Sequence, residues 1–141
     1  VYIKKRFNHP IEKVWKFITA SELVSKWFMN VEKLELVENG EYHLTGQPTE
    51  KWDGNIVGKV LEVSEEKKFV HTFKTNSMED FTEVTWILEE AEDNGTLLTL
   101  IHKGNDNIKD LVGFIESVDS GWMNHLTTFS KLINGQTNEV C

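Results

Sequence analysis

The fold class read from these 141 residues is α+β: a curved antiparallel sheet around one long C-terminal α-helix, with two short helices after the first strand. Three observations predict it. Between Asn107 and Asn134, the residues Ile108, Leu111, Val112, Ile115, Val118, Trp122, Leu126, Phe129 and Ile133 recur at three- and four-residue steps, which places them on one face of a helix. From Val31 to His102 the apolar period is two, with turn residues between the runs, and strands joined by tight hairpins must be antiparallel. Helical spacing over Pro10 to Phe28 is segregated from that run of strands, which separates α+β from alternating α/β.

Tyr2, Lys4 and Arg6 alternate with Ile3, Lys5 and Phe7 in a first strand that breaks at His9-Pro10. Pro10 is expected at the first helical position, where its fixed φ is tolerated, capped by Asn8 or His9, with Ile11, Val14, Trp15 and Ile18 on one face. Ser21 is expected to cap a second helix, Glu22 to Lys26, which delivers the aromatic pair Trp27-Phe28. Asn39-Gly40 spells a hairpin turn in which both central residues need φ > 0, and Asn94-Gly95 marks another hairpin. The longest strand, Trp52 to Val63, holds Gly54 and Gly58, whose missing side chains suggest a bend or bulge. Glu65-Glu66-Lys67-Lys68 reads as a charged turn and Asn76 to Asp80 as a polar loop. The last strand, Thr96 to His102, hands over through Gly104 to Asn107 to the long helix. About twenty helical residues at roughly 1.5 Å each make about 30 Å, so the strands must supply a surface of that length.

Composition bounds the partners. A chain of this length with 39% apolar and 11% aromatic residues suits one packed domain, expected over 1–141 with an ordered core of about 1–134 and a tail of 135–141. The net charge of −8 disfavours nucleic acid and anionic lipid, which both need a positive field. No apolar run reaches the eighteen or so residues of a membrane span, and Val1 to Phe7 is too short for a signal-peptide core. Cys141 is the lone cysteine, so no internal disulfide forms and a cytoplasmic location is expected. Among the five histidines no HxxxH or HExxH spacing occurs, and no metal or other cofactor is expected. Gly54 to Lys59 has one residue too few for a phosphate loop and lies in a strand.

Alternation and helical period turn Tyr42, Leu44, Phe69, His71, Phe73, Val84, Trp86, Leu88, Leu98, Leu100, His102, Val118, Trp122, Leu126 and Phe129 inward. These side chains either fill a core or wall a cavity; Phe73, Trp86, Trp122 and Phe129 are large and rigid, and such shapes are hard to pack without a gap. His71 and His102 are the inward residues able to contact a polar ligand group or move a proton, unless they are satisfied core histidines. His9 and His43 are expected to be exposed, and His125 to lie at the edge of the helical stripe.

Pro10-Ile11-Glu12-Lys13-Val14-Trp15, Ser21-Glu22-Leu23 with Trp27, Gly58-Lys59-Val60-Leu61-Glu62-Val63, Gly95-Thr96-Leu97-Leu98-Thr99-Leu100 with His102, and Gly121-Trp122 with Leu126 stand in a telling order. In that order the chain resembles the START-like superfamily with the helix-grip fold, and within it the activator of 90-kDa heat-shock protein ATPase homologue-like family. The resemblance implies a sheet curled around the long helix, leaving an apolar space open near the two short helices, where many relatives bind ligands. The chain lacks the Asn-Asn-Trp-His-Trp stretch of the eukaryotic ATPase activators, so chaperone stimulation is not carried over.

The expected function is binding of a small apolar or amphipathic ligand between sheet and C-terminal helix by a monomer or weak homodimer. Its site residues are Trp27, Phe28, His71, Phe73, Trp86, Leu88, His102, Val118, Trp122, Leu126 and Phe129. The alternatives are a chaperone-associated module acting through its surface, and a cyclase- or hydrolase-like enzyme using a cavity histidine.

Overall fold

The computed structural model describes residues 2–50, 53–75, 81–104 and 111–135, with backbone alone over 111–119. The elements are β1 (Tyr2–Phe7), α1 (Ile11–Thr19), α2 (Ser21–Trp27), β2 (Asn30–Leu34), β3 (Glu41–Thr45), β4 (Asn55–Ser64), β5 (Lys68–Phe73), β6 (Thr82–Ala91), β7 (Gly95–Lys103) and α3 (Leu111–Ile133). The seven strands make one antiparallel sheet in the order β1-β7-β6-β5-β4-β3-β2. The sheet curves around α3, the helix-grip arrangement. The expected polar loop over Asn76 to Asp80, the residue Trp52, the linker from Asn105, the helical start over 107–110 and the tail from 136 lie outside the described residues.

The helical caps differ from expectation. Pro10 is the N-cap of α1, its carbonyl accepting from the amides of Lys13 and Val14, and no side chain caps. Asn8 instead accepts from Arg6, and His9 is turned toward Asn134 at 2.7 Å. Ser21 is the first residue of α2 and not its cap, because the two helices share Ala20, which ends one and begins the other.

Turn chemistry also shifts. Only Asn39 of the Asn39-Gly40 pair is left-handed, at φ 65°. Gly40 is required for space, since a Cβ there would collide with the Glu35 carbonyl oxygen. In the β6–β7 hairpin the left-handed residues are Asp93 and Asn94, both at φ 58°, while Gly95 already pairs with Ala91. Asp and Asn tolerate that region, so the turn lies one position before the Asn-Gly spelling.

The sheet curves through bulges at Glu32, between Val31 and Lys33, and at Leu61, between Val60 and Glu62, rather than at the expected Gly54 or Gly58. Gly58 answers to a different constraint: a Cβ on it would lie 2.6 Å from Cε1 of Tyr42, whose ring crosses it.

One core cluster joins α1, α2, the inner sheet face and α3. At its centre Phe129 is fully buried, its ring 5.0 Å from Phe7, 5.6 Å from Phe17 and 4.9 Å from Trp27. Polar contacts fasten α1 to the end of α3: Lys13 Nζ donates to the Ile133 carbonyl at 3.0 Å and lies 3.3 Å from His9 Nδ1. His9 is therefore half-buried, as is His43, which is 2.6 Å from Asn55 Oδ1; neither is exposed as expected. Among the described residues no helix is long and apolar enough to cross a membrane.

Candidate functional site

The α2 helix has only two turns, and its last buried side chain, Trp27, is anchored by an indole N–H donated to the Phe17 carbonyl of α1 at 2.6 Å. The next residue, Phe28, is half-buried at the helix end. Its ring stacks on Trp27 at 5.3 Å and on Trp122 of α3 at 5.2 Å, each at 22°, and meets His125 edge-on at 4.6 Å. Behind it, strands β2, β3, β5 and β6 bring Val31, Leu34, Tyr42, Leu44, Phe69, His71 and Trp86 to one cavity, completed by Ile18, Val24, Trp27 and Trp122. Its volume is about 40 Å³. At roughly 10–15 Å³ per water this is space on the scale of a few waters, small beside a drug-sized ligand.

The polar atoms around the cavity are engaged with one another. Trp86 donates its indole N–H to His71 Nε2 at 3.1 Å, which makes Nδ1 the protonated nitrogen of His71; that N–H faces the Thr72 carbonyl at 3.0 Å and the Tyr42 hydroxyl at 3.2 Å. The Tyr42 hydroxyl donates to the same Thr72 carbonyl. Trp122 donates to His102 Nδ1 at 2.9 Å, so His102 carries its proton on Nε2 and donates to Thr82 Oγ1 at 2.7 Å; the Thr82 hydroxyl in turn donates to the Phe73 carbonyl at 2.9 Å. The two histidines thus hold opposite tautomers, each fixed by an indole.

Burial sets their charge. His71 is pulled down to about 4 by desolvation, against the hydrogen bond to Thr72, and His102 to about 3 by desolvation first and by the neighbouring His71 second. Burial pushes the Tyr42 phenol up, and it lowers His125 against a hydrogen bond to the Trp27 backbone. At neutral pH the cavity walls therefore carry no charge among the described residues. None of the described residues form a group of three His, Cys, Asp or Glu side chains able to hold a metal.

Of the expected site residues, Trp27, Phe28, His71, Trp86 and Trp122 line this cavity together. Leu88, His102, Leu126 and Phe129 are buried in the core beside it, and Phe73 is half-buried with its ring 5.0 Å from His102. The side chain of Val118 lies outside the described residues. Sequence reasoning missed Ile18, Val24, Val31 and Leu34 as wall residues. Strict alternation puts Val31 and Leu34 on opposite faces; the extra residue at the β2 bulge brings both inward, opposite Leu44 and Tyr42.

With that geometry in view, comparison with known proteins is informative. The family model described as Activator of Hsp90 ATPase homolog 1-like protein matches residues 8–134. The chain is 28% identical over 100 residues to protein C1711.08 of Schizosaccharomyces pombe, covering 70% of this chain and 27% of that protein, so it spans about a quarter of that relative's length. The crystal structure of CalU16 from Micromonospora echinospora matches with a TM-score of 0.77 at 24% identity, over 96% of this chain and 76% of that one. PFC0360w, an HSP90 activator from Plasmodium falciparum, matches with a TM-score of 0.77 at 21% identity, over 96% and 95% of the two chains. At these identities the structural likenesses carry the fold, and it is the match of the family model across nearly the whole chain that places this protein in the Activator of Hsp90 ATPase homolog 1-like family.

Proposed function

We propose that the chain binds a small apolar or amphipathic molecule in the cavity behind Phe28, with Trp27, Trp86 and Trp122 as its main contacts. The supporting observation is the position of Phe28: a half-buried ring just past a two-turn helix, bordering an uncharged cavity walled by α1, α2, four strands and α3. Turning that ring outward breaks two stacking contacts of about 0.5–1.5 kcal/mol each, a cost that burial of a ligand offsets, and adds the ring's volume to the cavity. In this reading His71 and His102 position Trp86 and Trp122 and do not touch ligand, since both ring nitrogens of each are engaged within the protein. The proton-transfer reading has no ring nitrogen to use in this arrangement.

Protein purified gently from its own cells is expected to carry a small molecule visible as added mass in native mass spectra. A clean apo mass, together with tryptophan emission that apolar probes leave unchanged, would sink the reading.

A chaperone-associated role is the second reading, supported by the family description and by the likeness to an HSP90 activator. An ATPase rate of that chaperone unchanged by this chain would remove it.

A further inference from the structure

Resting on the ligand-binding reading, we infer that the ligand class is an uncharged, flat aromatic ring that takes the place of the Phe28 ring against Trp27 and Trp122. The site already holds such a ring. Phe28 is inclined by 22° to each indole at 5.3 and 5.2 Å, so swinging it outward uncovers two aromatic faces that a flat ring already stacks on together. Offset stacking on those faces favours a flat guest; a puckered saturated ring of the same size cannot approach both faces closely.

Hydrogen-bond accounting then excludes anions. Every side-chain N–H or O–H on the lining is directed into the protein: Trp27 to the Phe17 carbonyl, Trp86 to His71, Trp122 to His102, and both Tyr42 and His71 toward the Thr72 carbonyl. No lysine or arginine lines the cavity among the described residues. A carboxylate, phosphate or sulfonate entering it would lose its hydration without gaining a donor or a counter-charge. The indoles accordingly present carbon faces and edges to a guest, with their polar atoms turned away.

The experiment uses three probes of matched skeleton: 2-naphthol (flat, neutral), decahydro-2-naphthol (puckered, neutral) and 2-naphthoate (flat, anionic), with choline as a compact cation. Each is titrated into the whole chain at neutral pH and followed by the indole N–H signals in nitrogen–proton correlation spectra. The expected result is that 2-naphthol moves the Trp27 and Trp122 signals and binds roughly tenfold more tightly than any of the others. Phe28→Ala is expected to tighten 2-naphthol by roughly tenfold, because it removes an internal competitor for the same place. Phe28→Leu, which keeps bulk but not flatness, makes the same comparison if the alanine variant does not fold.

Equal affinity for the three matched probes, or tighter binding of choline, overturns the ligand class and leaves the ligand-binding reading standing. Weaker binding of 2-naphthol by both Phe28 variants makes Phe28 a fixed wall and overturns the replacement. If no probe moves an indole signal in the parent or in either variant, and the protein from its own cells is also free of added mass, the ligand-binding reading itself falls.

Discussion

Acidification from pH 7 to pH 4 is expected to destabilise the protein, because the unfolded chain then binds protons that two buried imidazoles refuse in the fold. His71 titrates at about 4 and His102 at about 3 in the fold, against an ordinary value of 6.5. Above 6.5 both are neutral whether the chain is folded or unfolded, and stability does not depend on them. Below 6.5 the unfolded chain binds protons that the folded chain refuses, so stability falls as pH falls, until the folded values near 4 and 3 are reached. Each group can contribute a slope of about 1.4 kcal/mol per pH unit, so the two together remove on the order of 6 kcal/mol by pH 4. That is comparable with the whole stability of a small domain. Urea melts in half-unit pH steps would measure it. His102→Gln, whose amide can accept from Trp122 and donate to Thr82, should cut the slope by about half. Stability that stays constant between pH 7 and pH 4.5 would contradict the closed networks around these rings.

Trp122→Ala is expected to cost about 3–5 kcal/mol, the range for deleting a large aromatic from a core. Its side chain is 3% exposed, stacks on Phe28, and meets Trp86 edge-on at 5.4 Å. The substitution also leaves His102 Nδ1 without its indole donor, in a site where a lost partner costs about 1–3 kcal/mol. Trp122→Phe separates these contributions in part, since it keeps one aromatic ring in the site while deleting the N–H and the volume of the second ring. A chemical melt showing the alanine variant within about 1 kcal/mol of the parent would mean that Trp122 borders a space able to collapse, and would move it from core to open cavity wall.

The inward face of the sheet was legible because alternation is a strong signal when one side is buried. Tyr42, Leu44, Phe69, His71, Trp86, Leu98, Leu100 and His102 are all buried where the two-residue period put them. The helical spacing likewise found Trp122, Leu126, Phe129 and Ile133. Features of one residue's extent were not legible. A bulge changes parity without changing composition, so Val31 and Leu34 looked like opposite faces, and the β4 bulge fell at Leu61, not at a glycine. Turn spelling placed the left-handed pair at Asn94-Gly95, but Asp93-Asn94 can adopt the same conformation and the register with β6 decided between them. The roles of the histidines were also hidden, because which nitrogen bears the proton depends on indoles fifteen and twenty residues away in sequence.

The place of β1 in the strand order bears on how the chain is made. Among the described residues β1 pairs with β7 alone, Tyr2 opposite Ile101 and Phe7 opposite Thr96, so the earliest-synthesised of these seven strands joins the sheet after the latest. The hairpins from β2 to β7 close between neighbours in sequence and can form in turn. Phe7, Trp15 and Trp27 meanwhile have no α3 or β7 to bury against, and the nascent chain carries these rings uncovered until those two elements are made.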